Sequence, residues 1–240
     1  MIIVDSAAMK HFADRLSDAV TAKQAPVCVG LDPVIGRLPE VVRDAASGEL
    51  DAIARFSHGV LTAVAEHVPC VKLQSACYER YGEAGVGVYH ELAQAAGEAG
   101  LIVIGDAKRG DIGISAAHYA VAGLGHVDAL TINSYFGDDG IRPFVDYGAE
   151  HGKGLFALVR TSNPGGDAIQ SLKLDDGRTV AEAVAGLIAG LGESAVGACG
   201  YSLLGAVVGA THPDEAEALR QIMPRQIFLV PGFGAQGGSA

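Results

Sequence analysis

The chain has 240 residues, 49% hydrophobic and 19% charged, with 33 glycines and no tryptophan. That composition excludes intrinsic disorder, a coiled coil and a disulfide scaffold, and it can bury the core of one large α/β domain. Seventeen Lys and Arg against 28 Asp and Glu give a formal charge of -11, so there is no basic footprint for nucleic acid, and an anionic ligand must be held by local charges. Cys28, Cys70, Cys77 and Cys199 form no CxxC pair and read as reduced core thiols of a cytoplasmic protein. No basic segment followed by an apolar stretch marks a signal peptide.

In chain order, a first helix is expected over Ser6 to Lys23, where Met9, Phe12, Leu16, Ala19 and Val20 recur at spacings of three and four. Short apolar runs then precede helical patterns repeatedly. The runs are Val27 to Leu31, Cys70 to Leu73, Leu101 to Ile104, Val127 to Ile132, Leu155 to Val159, Leu204 to Val208 and Gln226 to Val230. The helical patterns cover Ala52 to His67, Gly85 to Glu98, Ser115 to Leu124, Gly140 to His151, Thr179 to Leu191 and Pro213 to Met223. Strand starts from Val27 to Ile227 span 200 residues over six intervals, about 33 per βα unit, and continuous apolar strands imply a parallel sheet covered on both faces.

The uncharged run from Ser194 to Thr211 has membrane-spanning length, but Gly197, Gly200, Gly205, Gly209, Tyr201 and Ser202 break it, and its second half reads as a buried strand. No membrane partner is expected. The alternation fits a doubly wound sheet and a (β/α)8 TIM barrel alike. Polar residues gather at the C-terminal end of nearly every strand, which favours the barrel, since all its βα loops open on one face. No linker divides the chain, so 1–240 reads as one barrel domain. The long connection from Thr161 to Gly177 is a candidate lid.

The chemistry concentrates in Leu101-Ile-Val-Ile-Gly-Asp106-Ala-Lys108-Arg-Gly-Asp111-Ile112-Gly. On a strand, Asp106 and Lys108 share a face, and Asp111 follows in a glycine-flanked turn. A solvated surface would carry the same letters as often, but four apolar strand residues directly before them favour a site. Lys72 alone would snorkel to water, and Asp32 before Pro33 alone would form a turn. Together Asp32, Lys72, Asp106 and Lys108 come from three successive strand ends and alternate in charge. Pro231-Gly-Phe-Gly-Ala-Gln236-Gly-Gly is either a plain turn or a cradle whose N–H groups approach an anion after a late strand. Arg160-Thr-Ser162-Asn-Pro164-Gly adds a hydroxyl at a strand end. The eight histidines form no HExxH and no Cys/His group has zinc spacing, so no metal is expected; there is also no Walker sequence and no nucleophile elbow around Ser115 or Ser202.

These motifs, with Val208-Gly-Ala-Thr211 and in the same order, make nearly the whole chain resemble the orotidine 5'-phosphate decarboxylase family, specifically its bacterial subgroup with Asp106-Ala-Lys108-Arg-Gly-Asp111-Ile112-Gly. The resemblance implies cofactor-free, metal-free decarboxylation of a nucleotide, orotidine 5'-monophosphate, to uridine 5'-monophosphate on a homodimeric barrel. It implies that Asp32 and Lys72 contact the ribose hydroxyls, that Lys72 also bonds Asp106, and that Lys108 donates the proton to C6. Asp111 and Ile112 reach into the partner's site, Ser162 contacts the pyrimidine, and Pro231 and Gln236 serve the phosphate or its lid. Where the subgroup shows a Ser-Thr pair, Ile114-Ser115 leaves Ser115 as one hydroxyl near the phosphate side. The chain ends just beyond a seventh strand, so an eighth βα unit, with the family's phosphate-binding arginine, is expected to be missing from the sequence given. Two alternatives stand beside this reading: a Mg-dependent phosphosugar decarboxylase or aldolase on the same barrel, and a non-catalytic nucleotide-binding remnant.

Overall fold

The computed structural model describes residues 10–211 and 213–232. In chain order the elements are α1 (Phe12–Lys23), β1 (Cys28–Leu31), α2 (Glu40–Asp44), α3 (Glu49–Val64), β2 (Cys70–Gln74), α4 (Ala76–Glu79), α5 (Gly82–Glu98), β3 (Ile102–Arg109), α6 (Gly113–Leu124) and β4 (Ala129–Ile132). There follow α7 (Asp138–His151), β5 (Gly154–Arg160), α8 (Asp167–Gln170), α9 (Val180–Gly192), β6 (Leu204–Val208), α10 (Pro213–Ile222) and β7 (Phe228–Leu229). The strands form one sheet in the order β1 to β7. A doubly wound sheet reverses its strand order at a switch point; an order that follows the sequence throughout is barrel winding.

Contacts gather into two compact units. The first comprises Leu16–Ala107 and Ala122–Leu130; the second comprises Met1–Arg15, Lys108–Val121 and Thr131–Ala240. In the first, β1, β2 and β3 pair in parallel with Gly30 opposite Lys72 and Gln74 opposite Asp106. Ala52, Ile53 and Leu61 of α3 and Leu92, Ala93 and Ala96 of α5 are buried, and the Ser57 and Tyr78 hydroxyls share a buried 3.1 Å hydrogen bond. Burial removes apolar area from water at about 25 cal/mol per Å², and this is the main force holding these helices.

In the second unit, β5, β6 and β7 pair in parallel, and β6 is buried at every residue. A register break between Leu158 and Arg160 leaves Val159 as the extra residue and sets Arg160 opposite Val208. Gly154 is required: a Cβ there would lie 2.1 Å from the ring of Phe12, which packs edge-on against Phe156. Thr179 and Glu182 form a capping box that starts α9.

The expected strands and long helices are present, with shifted ends. The first helix begins at Phe12 rather than Ser6; residues 1–9 lie outside the described ones. Lys10 and His11 precede the helix, and the His11 ring makes two bonds. Its Nδ1 accepts from the Ala13 amide, and its Nε2–H donates to the Ala195 carbonyl. β3 runs five residues past the apolar stretch that predicted it, through Arg109, and β7 is only two residues long. The uncharged run from Ser194 contains strand β6, and no described helix is long and apolar enough to cross a membrane. All four cysteines are free; Cys70 alone is buried and the others are half-buried. A hydrogen bond to Cys28, then burial, push the Cys70 thiol pKa up.

Candidate active site

In the first unit the ends of β1, β2 and β3 bring three of the expected residues together. Lys72 Nζ donates to Asp106 Oδ2 at 2.8 Å and stands 3.5 Å from both carboxylate oxygens of Asp32. The Lys72 and Asp106 side chains are 15% and 8% exposed, whereas that of Asp32 is 49% exposed, so the inner pair is withdrawn from water and the outer carboxylate faces it. Burial is the largest influence on Lys72 and opposes its charge. Attraction and hydrogen bonding from Asp106, with attraction from Asp32, outweigh it and raise the lysine above its ordinary pKa. Gln74 Nε2 gives Asp106 Oδ2 a second donor at 3.2 Å. Gln74 closes β2, and its two-residue spacing from Lys72 places both on one strand face. Gly30 leaves the space for this cluster, since a Cβ there would meet Asp32 Oδ2 at 2.8 Å.

In the second unit, Lys108 departs from regular strand geometry with φ at +49°. Such a conformation costs a non-glycine residue roughly 1–3 kcal/mol and persists only where surroundings enforce it. The alternation argument that put Lys108 on the face of Asp106 therefore does not hold as stated, because the strand turns at the lysine itself. Its amide donates to Thr131 Oγ1 at 2.9 Å, and the Asn133 amide donates to the Arg109 carbonyl at 2.7 Å. Asp111 Oδ1 accepts from the next amide, that of Ile112, at 2.8 Å. Ile112 and Ser115 are exposed at the entry to α6. Thr131 was missed; its signal is a hydroxyl inside the apolar run from Val127 to Ile132.

The same unit gathers the later motifs. The Gly209 amide donates to the Arg160 carbonyl, the Ala210 amide to the Pro231 carbonyl, and Thr211 Oγ1 to the Ser162 carbonyl. A Cβ at Gly209 would lie 2.9 Å from the Ser162 backbone, so glycine is what lets Ser162 sit there. Gly232, with φ at +106°, follows Pro231 in a conformation that favours glycine; Gln236 lies outside the described residues. Behind Ser162, Arg160 is 1% exposed. It donates to Glu215 at 2.6 and 3.1 Å, to Asp167 at 2.5 Å and to Gln170 Oε1 at 3.2 Å. The bond to Glu215 raises its pKa most, burial opposes it and Asp167 adds to the rise. The expected lid segment is thus a turn at Pro164–Gly166 and then α8, which Asp167 and Gln170 tie to Arg160, followed by an exposed hairpin bridged between Lys173 and Thr179. Among the described residues no group of three His, Cys, Asp or Glu is arranged to hold a metal ion.

Residues 25–240 match the model of the orotidine 5'-phosphate decarboxylase / HUMPS family. The chain belongs to that family. It is 45% identical to an orotidine 5'-phosphate decarboxylase of Rhodopirellula baltica over 97% of this chain and 81% of that protein, and 42% identical to one of Clostridium acetobutylicum over 95% and 80%. It superposes on a solved Streptomyces avermitilis structure assigned to the same enzyme with a TM-score of 0.86, 37% identity and coverage of 100% of this chain and 82% of that one. A Leishmania donovani OMP decarboxylase structure gives a TM-score of 0.76 at 32% identity over 93% and 80%. The fold is accordingly that of a (β/α)8 TIM barrel with seven strands among the described residues, as the strand order already indicated.

Proposed function

We propose that this chain catalyses the cofactor-free decarboxylation of orotidine 5'-monophosphate to uridine 5'-monophosphate in pyrimidine synthesis, within one barrel domain. The observation that carries the site assignment is a buried Asp106–Lys72 pair at a strand end, with Lys108 two residues further along the same strand. Loss of CO₂ leaves an electron pair on C6 with no ring carbonyl placed to accept it. The Lys108 ammonium stabilises that charge and then gives C6 its proton, and water restores the proton to the lysine. Asp106 stands where the substrate carboxylate is bound and repels it until CO₂ departs. Two like charges at 4 Å interact by about 4 kcal/mol at an effective dielectric constant near 20. Lys72 and Gln74 hold Asp106 for that role, and Asp32 with Lys72 takes the ribose hydroxyls. Ser162 contacts the pyrimidine; Ser115, Pro231 and Gln236 serve the phosphate end, whose binding energy helps hold the base in place.

The active form is a cytoplasmic homodimer in which Asp111 and Ile112 complete the partner's site. Supporting this, Ile112, Ile114, Tyr119, Tyr135 and Phe136 are all exposed around the ends of β3 and β4, with Ile114 at 76% and Tyr135 at 84%. Exposed apolar side chains concentrated in this way mark an association surface. The test is the fall in orotate absorbance. Lys108→Ala should keep the far-ultraviolet spectrum and lose turnover, and near-normal decarboxylation by it would reject the assignment. Mixing Lys108→Ala with Asp111→Ala should restore activity by leaving one intact site per mixed dimer; verified mixed dimers without recovery would refute sharing.

A further inference from the structure

Two described non-glycine residues have positive φ, Gln24 and Lys108. Gln24 follows α1 as an ordinary helix terminus: its amide bonds the Thr21 carbonyl and the next amide bonds that of Val20. Lys108 has no such local cause. It lies inside β3, where an extended residue would pass its amide to the neighbouring strand's backbone. The turn at Lys108 instead directs that amide to a side chain, the Thr131 hydroxyl on β4, at 2.9 Å. Thr131 is 1% exposed, so a fixed hydroxyl and not solvent receives the bond. One residue later backbone pairing returns, from the Asn133 amide to the Arg109 carbonyl. Gly110 then packs on Asn133, where a Cβ would come within 3.0 Å of the Asn133 Cβ. The chain is held at the lysine and directly after it, and within β3 only the lysine is left-handed.

We propose that Thr131 is a positioning residue for proton delivery: its hydroxyl fixes the left-handed backbone of Lys108 and thereby aims the ammonium at the reacting carbon. The inference rests on Lys108 being the proton donor. Aim matters more to the chemical step than to binding, because a misplacement near 1 Å can cost about 100-fold in rate, while phosphate and ribose contacts are made elsewhere.

The experiment compares Thr131→Val, which keeps the shape and removes the acceptor, with Thr131→Ser, which keeps the hydroxyl. Expected are a fall in kcat of roughly 10- to 100-fold for Thr131→Val, a dissociation constant for uridine 5'-monophosphate within about twofold of wild type, and recovery of most of kcat in Thr131→Ser. The exchange of the product's C6 hydrogen in D₂O, followed by NMR, should slow in parallel, since it reports proton transfer at C6 without decarboxylation. Should Thr131→Val not fold, Thr131→Ala removes the hydroxyl without adding a methyl group in its place, and the same expectations apply. Wild-type kcat and exchange in a folded Thr131→Val or Thr131→Ala overturn the proposal, as does loss of product affinity equal to the loss of kcat. Failure of the underlying reading is separate: it is an active Lys108→Ala, whatever Thr131 does.

Discussion

The Arg160 cluster allows a stability argument in which the side of the interaction that is removed decides the cost. The guanidinium is 1% exposed, whereas its partners Asp167 and Glu215 are 55% and 41% exposed. Replacing both carboxylates, as Asp167→Asn with Glu215→Gln, takes these two counter-charges from a cation shut away from water. Breaking a buried pair in that way costs about 3–5 kcal/mol. Arg160→Met keeps an unbranched side chain in the space and forfeits the hydrogen bonds of the guanidinium, but it leaves two carboxylates that water already reaches. Their attraction to the arginine was partly screened, so the loss should be about 1–3 kcal/mol. At roughly 2–4 °C per kcal/mol for a chain of this size, the double variant should melt about 6–20 °C below wild type and Arg160→Met should fall less far. Urea unfolding at neutral pH measures both. A larger loss for Arg160→Met than for the double variant would show that the cluster is held by solvent-independent pairing rather than by the need to neutralise a buried cation.

Two further outcomes follow from the titrating groups. Lys72 has its pKa raised above the ordinary 10.5, so its contribution to stability is full below that value and is lost as pH rises through the folded-state value. In Asp106→Asn the principal source of that rise is gone and burial, which opposes the charge, is left as the largest influence; the stability gap from wild type should therefore narrow as pH rises from neutral through the alkaline range. A gap that widens at alkaline pH would contradict the pairing. His90 on α5 stacks on His126 with ring centroids 3.7 Å apart, and burial, then the nearby His126, lower its pKa below the ordinary 6.5. The unfolded chain therefore takes up this proton first, and stability should fall as pH drops through 6.5 toward the lower folded-state value. His90→Gln should flatten that part of the curve; an unchanged slope would remove His90 as its cause.

Strand and helix placement was legible because it rests on local patterns. Seven apolar runs bounded by glycine, proline and charged residues gave seven strands, and the helical pattern from Thr179 to Leu191 lies on α9. The charge pattern at the strand ends was legible for the same reason: an Asp, a Lys and an Asp interrupt otherwise apolar segments at their C-terminal ends. Three things were not legible. Arg160 stood in the sequence as a charge closing an apolar run, but its partners lie 7 and 55 residues away, and no spacing rule connects them. Thr131 was one hydroxyl in a buried strand, and its partner is an amide on the neighbouring strand. The left-handed turn at Lys108 contradicts the strand periodicity that located the lysine, because backbone conformation at one residue is set by what holds it from outside.

The sequence by itself therefore determined which elements form, that they alternate as βα units, and which charged residues stand at strand ends. These follow from side-chain periodicity and from the cost of burying a charge. Only the tertiary structure decided that the strands lie in sequence order, that Lys72 is held between Asp32 and Asp106, and that Lys108 takes a left-handed backbone with its amide on Thr131. Each depends on atoms far apart in the chain meeting within hydrogen-bond distance, which local sequence does not encode.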